Sequence, residues 1–242
     1  MDYPYDVGPY SRTVTTTSPD AQRWFDRGLN WCFGFHHEEA IRCFEKALEA
    51  DPNCAMAHWG IGYAAGPNYN FPWELMDPAG KAAALARAYD ATQTALALAP
   101  NVSAPERALI EALPSRYPHR DPIDDQRPWN NAFADAMRLV HQAHPDDLDV
   151  RNIFVEAIMN RTPWRMWDQR TGAAASDAGT AEAREVLENA FATLPGAMNH
   201  PGLLHLHVHL MEMSPHPEAA LVTGDRLREI SPDMGHLTHM PT

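Results

Sequence analysis

The chain has 242 residues, 45% apolar and 21% charged, enough for one large domain with a substantial core. No run approaches the roughly 18 uninterrupted apolar residues of a membrane helix, and the opening Met1-Asp2-Tyr3-Pro4-Tyr5-Asp6 has neither a basic start nor an apolar stretch, so a cytoplasmic protein is expected. A net charge of −13 repels phosphate backbones and anionic bilayers, which excludes nucleic acid and membrane surfaces as partners.

The pattern along the chain is helical and repetitive. After an N-terminal extension, 1–20, the first unit spans 21–54. Within it Trp24, Gly28, Trp31, Ala40, Phe44, Ala47 and Pro52 occupy the fourth, eighth, eleventh, twentieth, twenty-fourth, twenty-seventh and thirty-second places. Small Gly28 and Ala40 let two helices approach, the aromatics fill the space between them, and Pro52 ends the second helix. Cys32, Cys43 and Cys54 match neither a zinc nor a disulfide framework and are expected as packed thiols. A second unit, 55–102, places Gly62 in the small slot and an Ala-rich helix over 81–99. The third, 103–147, opens on the capping signal Ser103-Ala104-Pro105-Glu106. The fourth and fifth are 148–200 and 201–234, and 235–242 looks like the start of a sixth pair cut short.

These positions resemble the tetratricopeptide repeat, a helix-turn-helix of about 34 residues. The resemblance implies an all-α, right-handed superhelical array of about five units plus a truncated sixth. Such arrays close with a polar capping helix, which is missing here, so association through the uncapped C-terminal face is expected. Extra residues interrupt units two, three and four at 66–77, 114–127 and 161–179, each with or beside a Pro-Trp pair: Pro72-Trp73, Pro128-Trp129 and Pro163-Trp164. Each tryptophan either anchors its own loop or helps to roof the concave groove.

The family register also implies which residues face that groove. Phe25, Leu29, Phe33, Met56, Trp59 and Tyr63 give it an aromatic, apolar end, and Asn152, Glu156 and Asn160 a polar one. Seven of thirteen histidines fall within 200–242. His205 and His209 are four apart, Glu212 is three further on, and His236 and His239 begin the next inward-facing helix, so they converge as a metal-ligand set. Nitrogen and oxygen donors in that mixture suit zinc, iron, manganese, nickel or copper. His207 is about 200° round the helix from His205 and should face away.

The sequence further resembles a bacterial group of tetratricopeptide proteins with FNHEEA, CAMAHWGIAYA-GPN, HPG--H---HA-E-S and GHL-HMP-H segments, here at 35–40, 54–68, 200–214 and 235–241. That likeness implies His37, His205, His209, Glu212, His236 and His239 as the characteristic polar residues. His36 stands in place of the group's asparagine, and Thr242 is where the group continues into another histidine. His37 could join the others only if the superhelix curls closely.

Two functions follow from these residues. One is a binding scaffold whose groove takes a protein, a peptide or a small ligand and carries a His/Glu metal site. The alternative is a metal-dependent hydrolase or oxidoreductase acting on a small molecule under the inserts, with Glu156 and Glu212 as acid or base candidates. Metal storage would need the same ligands and no pocket.

Overall fold

The computed structural model describes residues 3–242; the first two residues of the extension lie outside it. Among the described residues there are eleven α-helices and no strand, and no helix is long and apolar enough to cross a membrane. Ten helices form five consecutive packed pairs. These are α1 (Pro19–Phe33) with α2 (His37–Ala50), α3 (Ala55–Ala65) with α4 (Pro78–Leu98), α5 (Ala104–Ala112) with α6 (Arg127–Ala143), α7 (Leu148–Met159) with α8 (Thr180–Thr193), and α9 (Pro201–Met211) with α10 (Leu221–Ile230). A short α11 (Gly235–His239) packs on α10.

Local chemistry explains the boundaries. Ser18 caps α1 by accepting from the Ala21 amide, with Pro19 in the first turn, so the helix begins two residues before the expected unit. Asp77 caps α4 in the same way, and Ser103 and Glu106 form a reciprocal capping box on α5. The end of α1 is unusual. The His36 amide reaches the Trp31 carbonyl and the Phe35 amide the Cys32 carbonyl, a turn whose left-handed position is normally glycine. Phe35 occupies it at φ 56°, a conformation that costs a non-glycine residue about 1–2 kcal/mol.

The pairs sort into an inner and an outer layer. Every residue of α9 is buried, as is every residue of α7 except Leu148 and of α3 except His58, whereas α2 and α6 bury one face each. The three cysteines are free and buried inside this packing. Phe44 of α2 is held between Gly28 of α1 and Gly60 of α3, where an added Cβ would come within 2.6 Å and 2.7 Å of its ring.

The array returns on itself. Helix α9 of the fifth pair packs against α1 of the first as well as against α7. The N-terminal segment fastens this closure. Asp6 exchanges hydrogen bonds with Asp233 just before α11, and the Tyr10 ring lies on Phe33 and on His200, the cap of α9. Thr15 donates to Glu106, the carboxylate that also caps α5. Arg12 forks onto Asp147 at 2.8 and 2.9 Å and reaches Asp149 at 2.6 Å, tying the extension to the first turn of α7.

Asp149 is only 3% exposed, and Arg12 and His200 are the groups that meet its charge. Burial alone would raise its carboxyl pKa. The His200 hydrogen bond and the Arg12 charge overcome that and lower it to about 2. Arg12→Ala leaves this buried carboxylate with His200 alone and is expected to cost about 3–5 kcal/mol in urea unfolding at neutral pH. A loss under about 1 kcal/mol would mean that the fork behaves as a surface ion pair.

Candidate metal centre

The closure of pair five on pair one brings His205, His209 and His236 together. One ligand atom from each lies within 4.8 Å of the other two, and the group could hold a metal ion. Helix α9 supplies His205 and His209 one turn apart, and α11 supplies His236.

The ring tautomers are set from outside the group. His205 Nδ1 donates to the Phe33 carbonyl at 2.6 Å, and His209 Nδ1 donates to Glu212 Oε1 at 3.0 Å. Each of these rings therefore turns an Nε2 lone pair inward. His205 Nε2 is buried without a partner, and His209 Nε2 lies 3.4 Å from His236 Nε2. Imidazoles that ligate metals are held in this manner, with the distal N–H on a carbonyl or carboxylate. Burial, helped by the charges of His209 and His236, pushes the His205 pKa well below its ordinary value. Burial and the neighbouring His209 and His239 lower that of His236 to about 4. Both rings are neutral at physiological pH and so available to a cation.

Aromatic and amide groups enclose the three rings. The Phe35 ring, projected by its left-handed backbone, lies 4.5 Å from His205 and 5.8 Å from both His209 and His236, centroid to centroid. From the 66–77 insert, Tyr69 packs on His209 at 5.1 Å and on Trp164 of the 161–179 insert at 6.1 Å. Asn70 places its Nδ2 3.3 Å from both His209 Nε2 and His236 Nε2. Two of the three inserts thus meet over the histidines. Trp73 and Trp129 are buried and pack edge to face, which anchors the 66–77 insert to the start of α6, whereas Trp164 stays 40% exposed.

The other expected residues are placed differently. Glu212 stands behind His209 and orients it, while His239 is exposed with Nδ1 beside the Thr242 hydroxyl, outside the three-histidine group. His37 is also outside the group, separated from it by Phe35. With Phe35, Asn68 and Phe71 it lines a mostly apolar cavity of about 460 Å³, which shares Phe35 with the surroundings of the three histidines. His207 turns to the α10 side and meets Thr223 at 2.8 Å. His200 caps α9 through Nδ1, and its Nε2 meets Asp149 at 3.3 Å.

All nine residues expected along the groove, Phe25, Leu29, Phe33, Met56, Trp59, Tyr63, Asn152, Glu156 and Asn160, are buried. Their shared face is packed closed. Glu156 accepts from the Tyr63 hydroxyl and, at 3.5 Å, from Asn160; Arg116 lies over the Tyr63 ring at 4.7 Å. Burial raises the Glu156 pKa against the pull of Arg116 and these hydrogen bonds. This carboxyl belongs to an interior polar network and does not line an open pocket.

Phe35, Tyr69, Asn70 and the Phe33 carbonyl are the contributors that the sequence reading missed. Tyr69 and Asn70 carried a signal, since both sit in an insert expected to fold over the groove. Comparison with protein-family models, with curated proteins and with solved structures finds no match to the chain.

Proposed function

We infer that the chain is a metal-dependent protein acting on a small molecule, with the ion held by His205, His209 and His236. The observation that carries this reading is the set of three histidine ligand atoms within 4.8 Å of one another, with the tautomers of His205 and His209 fixed by Phe33 and Glu212. When bound, a divalent transition metal would supply Lewis-acid activation of water or of a polar substrate group. The chain's own residues do the rest. Phe33 and Glu212 hold the protons of His205 and His209 away from the centre, Phe35 and Tyr69 restrict water, and the cavity beside Phe35 suits the apolar body of a substrate.

The five pairs fit tetratricopeptide-like units of one right-handed superhelix curled tightly enough to close. A peptide-binding scaffold needs an open inner face, and the burial of all nine groove residues favours small-molecule chemistry over that reading.

The test is elemental analysis by mass spectrometry of protein purified without an affinity tag, beside a His205→Ala/His209→Ala double variant and the more exposed His236→Ala. Near one metal per chain in the parent, lost in folded variants, is the expected result. No uptake by the parent after incubation with zinc, iron or copper would overturn the reading and return the chain to the scaffold class.

A further inference from the structure

Asn70 belongs to no metal-ligand motif, yet its amide faces the centre more closely than His239 or Glu212 does. Its position is built. Asn68 Oδ1 accepts from the amides of Asn70 and Phe71 at 2.9 and 2.8 Å, and the Asn68 and Phe71 backbones pair with each other. Buried Tyr69 anchors the same turn on His209, and buried Arg116 holds its base by donating to the Pro67 carbonyl at 2.6 Å. The insert therefore delivers Asn70 to a fixed place over the histidines.

Three distances describe what it does there. The terminal amide atom of Asn70, His209 Nε2 and His236 Nε2 form a triangle with sides of 3.3, 3.3 and 3.4 Å. A tetrahedron with edges of about 3.3–3.4 Å has its centre about 2.0–2.1 Å from each corner, the length of a zinc–imidazole bond. Octahedral edges at that bond length would be about 2.9 Å. The triangle has the dimensions of one face of a tetrahedral site, and His205, whose ligand atom lies within 4.8 Å of those of His209 and His236 and whose Nε2 is unpartnered, stands on the side of the remaining corner.

In the structure the Asn70 NH2 group donates to the two lone pairs, and its buried Oδ1 has no partner. A half-turn of the amide exchanges Oδ1 and Nδ2 without moving the side chain's plane. With a cation among the three Nε2 atoms the preference reverses. The oxygen then faces positive charge and the NH2 group takes the position where an acceptor stood unpaired.

We propose that Asn70 Oδ1 is the fourth ligand of the centre, a neutral one supplied by amide rotation, which closes the site at rest and yields its position to substrate. This rests on the metal reading of the three histidines. A neutral amide oxygen is a weaker donor than imidazole or carboxylate, so it is the ligand that an incoming polar group displaces.

The test uses the full chain and two probes, Zn2+ alone and Co2+ alone. Zn2+ affinity is measured by competition with a chelating dye, and coordination number by the intensity of the visible Co2+ absorption. Asn70→Ala is expected to weaken Zn2+ binding by about 10–100-fold and to lower the Co2+ intensity as solvent enters. Asn70→Asp is expected to bind at least as tightly as the parent and to keep the four-coordinate spectrum. Circular dichroism confirms folding, and the aspartate variant keeps the test decisive if alanine unfolds the turn. Unchanged Zn2+ affinity and Co2+ spectrum in Asn70→Ala, with binding still abolished in His205→Ala/His209→Ala, would overturn the role of Asn70 and leave the three-histidine site standing. Absence of Zn2+ binding in the parent would remove the site itself.

Discussion

Phe44→Ala is expected to lower the unfolding free energy by about 3–5 kcal/mol, measured from urea transitions at neutral pH. The ring is fully buried and touches Phe25, and it lies where α1, α2 and α3 meet. Gly28 presses on it from one side and Gly60 from the other, so on those two sides there is no side chain to relax into the space it leaves. The converse change makes the argument sharper. Gly60→Ala puts a methyl 2.7 Å from ring carbons that Gly28 prevents from retreating, an overpacking expected to cost about 1–3 kcal/mol. If Gly60→Ala proved neutral, the two helices would have room to separate around Phe44, and the close approach assigned to the glycines would be mistaken.

The second large effect is loss of stability in mild acid. In the metal-free protein, burial and the Arg116 charge lower the His37 pKa to about 4, burial and His209 lower His236 to about 4, and burial holds His205 well below its ordinary value. An unfolded chain protonates these rings near pH 6.5, so below that pH it binds protons that the native state refuses. Stability is therefore complete above about pH 6.5 and falls as the pH drops towards 4, each ring contributing a slope of up to about 1.4 kcal/mol per pH unit. Asp149 adds little above about pH 5, because its carboxyl is charged in both states there and the unfolded chain takes up that proton only on approaching about pH 4. Urea midpoints at pH 7.5, 6 and 5 should decline steadily, and a level profile would contradict neutral burial of the histidines. Saturating zinc should raise the midpoint at pH 7.5 and lose its effect on acidification, since protons and metal compete for the same lone pairs.

The helices were legible in the sequence for local reasons. Gly28, Ala40, Phe44 and Pro52 carry a spacing that only paired helices satisfy, and Ser103 with Glu106 announces the start of α5 within four residues. The inward direction of His205 and His209 was likewise a matter of helical register. What local pattern cannot supply is how the five pairs pack on one another, which depends on contacts between residues far apart in the chain. Register marked Tyr63 and Glu156 as inward but not that the inner face is packed shut. The same limit hid Phe35, Asn70 and Arg12: each lies in a turn, an insert or the extension, where no periodicity operates, and each acquires its role from a contact across the closure. His236 and His239 show the limit within one short helix, where equal spacing brought one ring into the group and left the other exposed.

The meeting of α1 with α9 also sets an order of events in time. Within the pairs the partners are near neighbours along the chain, and such contacts form quickly. The histidine centre joins residues near 33, 70, 209 and 236, and the Arg12 fork joins positions more than a hundred residues apart, so both wait for the last and slowest loop to close. Interactions made after the rate-limiting barrier act on the rate of leaving the native state rather than of reaching it. A metal at this seam would then work as a kinetic latch, lengthening the lifetime of the contact between α1 and α9 while leaving the speed of its assembly nearly unchanged.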